Sequence, residues 1–175
     1  MDDLNQTMRS IAQGDAKAMN ALALAQGPRL FHTAYRLMND HGLAEDALQE
    51  TFIRLWQKAP LWEEGRGSAL SWIYKMLTNI CLDMKRKNKH TFVADDAFIE
   101  AVSEPYHTDG MVKADFMSLK KIANTLPEQQ KILLYLTYVE GFANKETAEI
   151  MNISVKNVEV RLSRLREQLR RDLHE

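Results

Sequence analysis

The chain has 175 residues, 45% of them hydrophobic and 27% charged, with a formal net charge of −1. This composition is typical of a soluble globular protein of one or two domains, and it excludes a collagen-like or wholly disordered chain. No run of about 18 apolar residues is available to span a membrane, and the acidic N-terminus is unlike a signal peptide. Cys81 is the only cysteine, which excludes an intrachain disulfide. A cytoplasmic, mostly helical protein is expected.

The charge is unevenly distributed along the chain. Residues 26–90 carry +3, residues 91–118 carry −5 and residues 119–175 carry +2. A basic block is the footprint of a nucleic-acid binder, but a surplus this small also suits solvated helical faces. The acidic block contains Pro105 and Gly110 and has no helical period, which indicates a linker. We therefore expect two small helical domains, 1–90 and 111–175, joined by a flexible acidic linker at 91–110.

The first domain is predicted to be helical throughout, with breaks at glycine and proline. The predicted segments are 4–24 (interrupted at Gly14–Asp15), 28–39, 44–58 and 69–87. Pro28 is favoured at a first helical position, Gly42 is expected to break the chain before the third segment, and Ser68 is a candidate N-cap of the fourth. The loop LWEEGRGS, residues 61–68, contains two glycines.

The second domain is predicted to end in a helix-turn-helix. Its predicted helices are 111–124, 127–139 (begun by Pro127 and ended by Gly141), one capped by Asn144 that runs through Met151, and a last one capped by Ser154. A helix, a very short turn and a longer helix are the features of that motif. No window alternates with a period of two residues, so an all-α fold without a sheet is expected.

The last helix is predicted to have an apolar face and a polar face. The predicted core face is Val155, Val158, Leu162, Leu165 and Leu169. The opposite side and its flanks carry Lys156, Asn157, Glu159, Val160, Ser163, Arg164 and Arg171, of which the first six could reach the base edges. Arginine can bond guanine, asparagine adenine and glutamate cytosine, while valine can contact a thymine methyl. The alternative is an amphipathic helix whose basic face is only solvated.

The helix at 69–87 has the same two-sided pattern. Its apolar stripe is Leu70, Ile73, Leu77, Ile80 and Met84, and its opposite face carries Trp72, Lys75, Asn79 and Arg86. A tryptophan on a polar face usually has a partner, and beside basic residues that partner can be an unstacked base. The alternative is that Trp72 packs under the N-terminal helix.

No catalytic or metal-binding pattern is present in the sequence. The five histidines are scattered, and GRGS lacks the lysine of a phosphate-binding loop. We therefore expect no enzyme activity, no cofactor and no metal, and Cys81 is interpreted as a packing residue.

Three segments together resemble a bacterial sigma-70-family factor of the extracytoplasmic-function (ECF) group. They are AEDALQETFIRLW (44–56), GRGSALSWIYKMLTNICLDMKRK (65–87) and LPEQQKILLYLTYVEGFANKETAEIMNISVKNVEVRLSRLREQL (126–169). The resemblance implies a factor with the second and fourth sigma regions, which binds core RNA polymerase, recognises −35 and −10 promoter elements and melts DNA without ATP. It implies promoter DNA and core RNA polymerase as partners, an anti-sigma factor as a further partner, and a stress- or signal-response regulon.

The resemblance also assigns roles to residues. Asp46, Gln49 and Glu50 correspond to the polymerase-binding segment, with Phe52 and Trp56 expected in the core. The residues assigned to the −10 element are Arg66, Ser68, Trp72, Lys75, Asn79 and Arg86. Those assigned to the −35 element are Lys156, Asn157, Glu159, Val160, Arg161, Ser163 and Arg164.

Two positions depart from the family pattern. Glu159 stands where the family usually has a basic residue, and Thr137 stands where it often has arginine. Both changes remove positive charge from the expected −35 surface, so we expect weaker phosphate binding or an unusual −35 sequence. Glu159 either reads a cytosine or pairs along the helix with Ser163, Arg164 or Arg166.

Two other functions are compatible with parts of the sequence. The first is a stand-alone helix-turn-helix regulator, which leaves AEDALQETF unexplained and has no sensor signature in residues 10–90. The second is a helical interaction protein that sequesters another factor without contacting DNA. Binding to core RNA polymerase distinguishes the first alternative, and salt-dependent promoter binding distinguishes the second.

Overall fold

The computed structural model describes residues 2–88 and 123–174, with side chains described for 4–88 and 123–171. The predicted linker at 91–110 and most of the predicted helix at 111–124 lie outside these residues. Every element of the described residues is helical, which confirms the expected all-α class. The elements are α1 (Asp2–Ala12), α2 (Ala16–Met38), α3 (His41–Lys58), a 3-10 turn (Ala59–Leu61), α4 (Ala69–Lys87), α5 (Glu128–Leu134), a π-helical segment (Tyr135–Val139), α6 (Asn144–Met151) and α7 (Val155–His174).

The chain divides into two compact units, with the boundary between residues 103 and 104. In the first unit, α2 packs on α3, α3 packs on α4, and α1 lies against α2, α4 and the 3-10 turn. Its fully buried side chains include Met8, Leu30, Leu37, Tyr74 and Leu77. Burial of a side chain of this size contributes about 1.5–3 kcal/mol, so this shared core fixes the helices that carry the candidate site.

The second helix does not begin at Pro28, contrary to the prediction from sequence. α2 runs without interruption from Ala16 to Met38 and contains Pro28 in its interior. A proline there removes one backbone hydrogen bond and favours a break. Leu22 before it and Leu30 after it are both buried, so tertiary packing on each side of the proline holds one continuous helix.

The third helix begins before Gly42, so the predicted break at this glycine is wrong. Asp40 is the N-cap, and its carboxylate accepts a hydrogen bond from Leu43 N at 2.7 Å. Gly42 therefore lies in the first turn, where amides have no partner within the helix. The side-chain cap of Asp40 outweighs the weak helix propensity of the glycine.

The second unit contains a π-helical segment, which the sequence did not predict. Tyr135–Val139 follows α5 directly, and Glu140 N bonds Tyr135 O at 2.8 Å, a five-residue step. The hydroxyl of Thr137 donates to Leu133 O at 2.7 Å. Gly141, with a φ of 75°, ends the segment where the sequence predicted an end.

The helix-turn-helix is present with the predicted short turn. Asn152 ends α6 in the left-handed conformation (φ 54°), and Ser154 Oγ accepts a hydrogen bond from Asn157 N at 3.2 Å at the start of α7. The predicted cap of α6 is one residue off. Ala143 occupies the N-cap position, and Glu146 supplies the side-chain bond by accepting from Ala143 N at 3.2 Å.

Candidate nucleic-acid interface

The outer face of α7 presents the polar side chains that the sequence placed there. Val158, Leu162, Leu165 and Leu169 are buried as predicted. Val155 is 40% exposed, so its assignment to the core is wrong; it is the first residue of α7. The residues assigned to the −35 element are all exposed except the half-buried Arg161. The exposed members are Lys156, Asn157, Glu159, Val160, Ser163 and Arg164.

The next feature of this face is its cations, Lys156, Arg161 and Arg164. Within residues 4–88 and 123–171, no ion pair involves Lys156, Arg161 or Arg164. In the same residue ranges, Glu159 has no ion pair and no side-chain hydrogen bond. Arginine guanidinium groups that make no local ion pair can bond phosphates or base edges. The pairing alternative for Glu159 is therefore supported by no ion pair or side-chain hydrogen bond among the side chains described.

The polar face of α4, in the first unit, is a separate candidate surface. Ser68 Oγ caps the helix by accepting a hydrogen bond from Ser71 N at 3.1 Å, as predicted. Asn79 is exposed, and Trp72 and Lys75 are half-buried on the same face. Ile73, Leu77 and Ile80 are buried on the other side. The arrangement presents an indole, an ammonium and an amide within two to three turns of one helix.

The two arginines assigned to the −10 element are engaged in local ion pairs. Arg66 Nε lies 2.8 Å from Glu63 Oε2, and an Arg86 guanidinium nitrogen lies 2.7 Å from Asp83 Oδ1. All four side chains are largely exposed, and pairs of this kind contribute only about 0–1 kcal/mol. A phosphate can therefore replace either carboxylate at small cost.

The loop before α4 is shaped by glycines in the left-handed region. Gly65 and Gly67 have φ values of 95° and 124°. A Cβ added at Gly65 would meet no atom within 4 Å, so the requirement for glycine there is conformational and not steric.

Replacing Gly65 with alanine is expected to lower the free energy of unfolding by about 1–2 kcal/mol, the cost of a left-handed conformation with a Cβ. Gly42→Ala is the matched control. Gly42 is in a helix, and the added Cβ makes only an ordinary contact with Asp40 Oδ1 at 3.5 Å. This control should be neutral or stabilising by about 0.4–1 kcal/mol. Urea unfolding of both variants measures the difference, and equal values would contradict the prediction.

The outer face of α3 contains apolar side chains that the sequence reasoning missed. Asp46 and Gln49 are exposed as expected, and Glu50 is half-buried and bonded to Arg54 Nε at 2.6 Å. Ile53 is 52% exposed and Trp56 is 40% exposed, so the assignment of Trp56 to the core is wrong.

The apolar residues Ile53 and Trp56 lie on the same side of α3 as the polar residues Asp46 and Gln49. Positions 46, 49, 53 and 56 follow each other at steps of three and four, which places them on one face. This spacing was the available signal in the sequence. Large apolar side chains that remain exposed beside polar ones are typical of a protein-binding surface.

No cluster of three or more histidine, cysteine or carboxylate side chains within residues 4–88 and 123–171 has the arrangement of a metal site. Among the helices described, none is long and apolar enough to cross a membrane. Cys81 is buried, as its interpretation as a packing residue requires.

Two family models match the chain. The model described as Sigma-70 region 2 matches residues 22–91, and the one described as Sigma-70, region 4 matches residues 116–169. The first match contains α3, the loop and α4, and the second contains the helix-turn-helix. Together they span most of the chain.

Two similar proteins are named as ECF RNA polymerase sigma factors. The ECF RNA polymerase sigma factor SigW of Bacillus subtilis is 25% identical, with 98% of this chain and 97% of SigW aligned. SigM of the same organism is 30% identical, with 77% of this chain and 82% of SigM aligned.

Solved structures agree at the level of the fold. The sigma factor RpoE of Bartonella quintana, in complex with the anti-sigma factor NepR, has a TM-score of 0.70 and 25% identity, covering 91% of this chain and 98% of that one. CnrH, in complex with the cytosolic domain of CnrY, has a TM-score of 0.73 and 19% identity, covering 98% and 97%. The family matches confirm the resemblance stated from sequence, and the chain belongs to the sigma-70 family, in its ECF group of RNA polymerase sigma factors.

Proposed function

We propose that this chain binds core RNA polymerase through α3, reads the −35 promoter element through α7 and opens the −10 element through α4. The observation that carries the proposal is the set of three outward faces, one on each helix, whose chemistry suits these three partners. α7 presents cations that form no ion pair within the part of the chain that the structure describes. α4 presents an indole beside an ammonium and an amide, and α3 presents acids beside apolar side chains. The protein acts in the cytoplasm, where polymerase and promoter DNA are found, and it is a binding factor and not an enzyme.

The chemistry of the α7 face supports reading of a duplex. The helix follows a short turn, as in proteins whose recognition helix lies in the major groove. Lys156 and Arg164 suit phosphates or guanine, Asn157 suits adenine, and Val160 suits a thymine methyl. These contacts fix the register of the factor on the promoter before any base pair is broken.

The chemistry of the α4 face supports capture of an unpaired strand. An indole stacks on a base with a contribution of about 1–3 kcal/mol, and this stacking replaces part of the base-pair energy that is lost on melting. Lys75 lies one turn from Trp72 and Asn79 two turns away, so a phosphate and a base edge can be held beside the stacked base. Binding energy of this kind opens DNA without a nucleotide cofactor.

The α3 face supports a protein partner. Its acids suit a basic surface, and Ile53 and Trp56 supply apolar area that a partner can cover. A structure similar to this chain is a complex of a sigma factor with an anti-sigma factor. We therefore propose an anti-sigma factor as a second partner, which would control a stress- or signal-response regulon.

Asp46→Arg and Trp56→Ala are each expected to weaken binding to core RNA polymerase by about tenfold, in the range of interface side chains whose truncation costs more than about 1 kcal/mol. Both side chains are exposed, so folding should be unchanged. Affinity for core polymerase is measured by titration of labelled protein, with thermal unfolding as the check on folding. If both variants bind core RNA polymerase with wild-type affinity, α3 is not part of the polymerase interface.

The ion pair between Glu50 and Arg54 provides a control at constant net charge. Swapping the two residues (Glu50→Arg with Arg54→Glu) keeps a pair at the same spacing but moves the negative charge by one turn. If Glu50 contacts polymerase directly, the swapped protein binds weakly although it folds normally. If the swapped protein binds core RNA polymerase with unchanged affinity, Glu50 does not contact polymerase and only forms an ion pair within α3.

A further inference from the structure

A polar contact joins α1 to the loop of residues 62–68, which lies distant from it in sequence. Asn5 Nδ2 donates to Glu64 Oε1 at 3.2 Å, and the Arg9 guanidinium pairs with Glu64 Oε2. Asn5 and Arg9 are one turn apart, so two donors converge on one carboxylate. We propose that this contact, the α1 clamp, positions the loop for −10 recognition, an inference that rests on the function proposed above.

The donors of the clamp belong to a well-anchored helix. Met8 and Ile11 of α1 are 0% and 2% exposed. The helix as a whole lies against the 3-10 turn that leads into the loop and against α2 and α4. Because the buried face fixes the rotation of α1, Asn5 and Arg9, which lie on the flank of that face, are held at a defined place.

The loop itself needs such an anchor. Gly65 and Gly67 give it conformational freedom, and the ion pair between Glu63 and Arg66 lies within the loop and does not link it to a helix. Glu64 does make that link, and it lies two residues from Arg66 and four from the N-cap Ser68. Fixing Glu64 therefore limits the positions that Arg66 can take at the start of α4.

The exposure of the clamp indicates a positioning role and not a large stabilising one. The side chains of Arg9 and Glu64 are 55% and 48% exposed. Exposed ion pairs change an equilibrium by about two- to fivefold. The expected consequence of losing the clamp is therefore altered base preference at the −10 element, with little change in thermal stability.

A charge swap tests the inference in the full-length protein bound to core RNA polymerase. The variants are Arg9→Glu, Glu64→Arg, the double swap, and Asn5→Asp, which places a carboxylate against Glu64 with almost no change of shape. Lys17→Glu is the matched control, since it makes the same charge change as Arg9→Glu at an exposed position of α2. Open-complex formation is measured on a promoter selected from a genomic library and on versions with each −10 base replaced.

Each single clamp variant is expected to reduce discrimination among the −10 bases by about two- to fivefold, and the double swap should restore it. Polymerase affinity and melting temperature should remain at wild-type values throughout, as should all properties of the control. The inference is overturned if the single variants discriminate among the −10 bases as well as the wild-type protein does. It is also overturned if the double swap loses as much discrimination as the two single variants lose together. If the wild-type protein opens no promoter with polymerase, the proposed function fails first. If it opens promoters and the clamp variants match it, only the clamp fails.

Discussion

Trp72→Ala is expected to reduce open-complex formation by about fivefold to more than 100-fold, which corresponds to the loss of about 1–3 kcal/mol of stacking on one base. Trp72 lies half-buried on the polar face of α4, opposite the buried Ile73, Leu77 and Ile80. Removing the indole therefore leaves the main core contacts of the helix in place. Melting is followed by permanganate reactivity of −10 thymines in the assembled holoenzyme.

Two further substitutions determine whether stacking is the cause. Trp72→Phe keeps an aromatic face and should recover most of the activity, whereas Asn79→Ala removes an exposed amide and should cause a smaller loss. Trp56→Ala, the same substitution on α3, should instead reduce polymerase affinity. If Trp72→Ala unfolds the protein, the indole belongs to the core. If the Trp72→Ala variant folds and forms open complexes normally, Trp72 does not contact the −10 element.

Glu159→Lys is expected to change the preferred −35 sequence at one or two base pairs. The carboxylate is exposed on the flank of the α7 face and has no ion pair within the described residues. A free carboxylate can accept a hydrogen bond from cytosine N4, and a good base contact is worth about 1–3 kcal/mol of discrimination. Binding of the holoenzyme to a set of −35 variants, measured at several salt concentrations, tests this expectation.

The competing explanation for Glu159 makes a different prediction. If the residue only lowers the positive charge of the surface, Glu159→Lys tightens binding to all sequences alike and steepens the salt dependence, because one more phosphate is neutralised. Glu159→Gln separates the two effects, since glutamine removes the charge and bonds adenine in preference to cytosine. An unchanged ranking of −35 variants with both substitutions would eliminate base reading.

Local signals in the sequence were sufficient for several features of the fold. Ser68 and Ser154 cap their helices as predicted, because an N-cap depends on one side chain and the next few amides. The buried stripe of α4 and the turn at Asn152 were predicted for the same reason: each depends on spacing within a few residues. The face of each candidate DNA-binding helix followed from the same spacing.

Where local signals and tertiary packing disagreed, packing decided the outcome. Pro28 is a breaker by itself, but a buried residue on each side of it holds it in a continuous helix. At Gly42, in contrast, one local signal outweighed another, because Asp40 caps the helix. Trp56 and Val155 were assigned to the core from their spacing, but both are exposed. Helical spacing assigns a residue to a face, but only the neighbouring elements decide whether that face is covered.

The sequence by itself determined the helical class, the helix-turn-helix and the family, because these depend on periodicity, caps and motifs of local spacing. Only the tertiary structure revealed the exposed apolar face of α3 and the contact of Asn5 and Arg9 with Glu64. Arg9 and Glu64 are 55 residues apart in the chain, and no spacing rule relates them. Their contact exists because α1, whose Met8 and Ile11 are buried in the core, packs against the 3-10 turn that leads into the loop. The apolar core therefore decides which polar side chains meet.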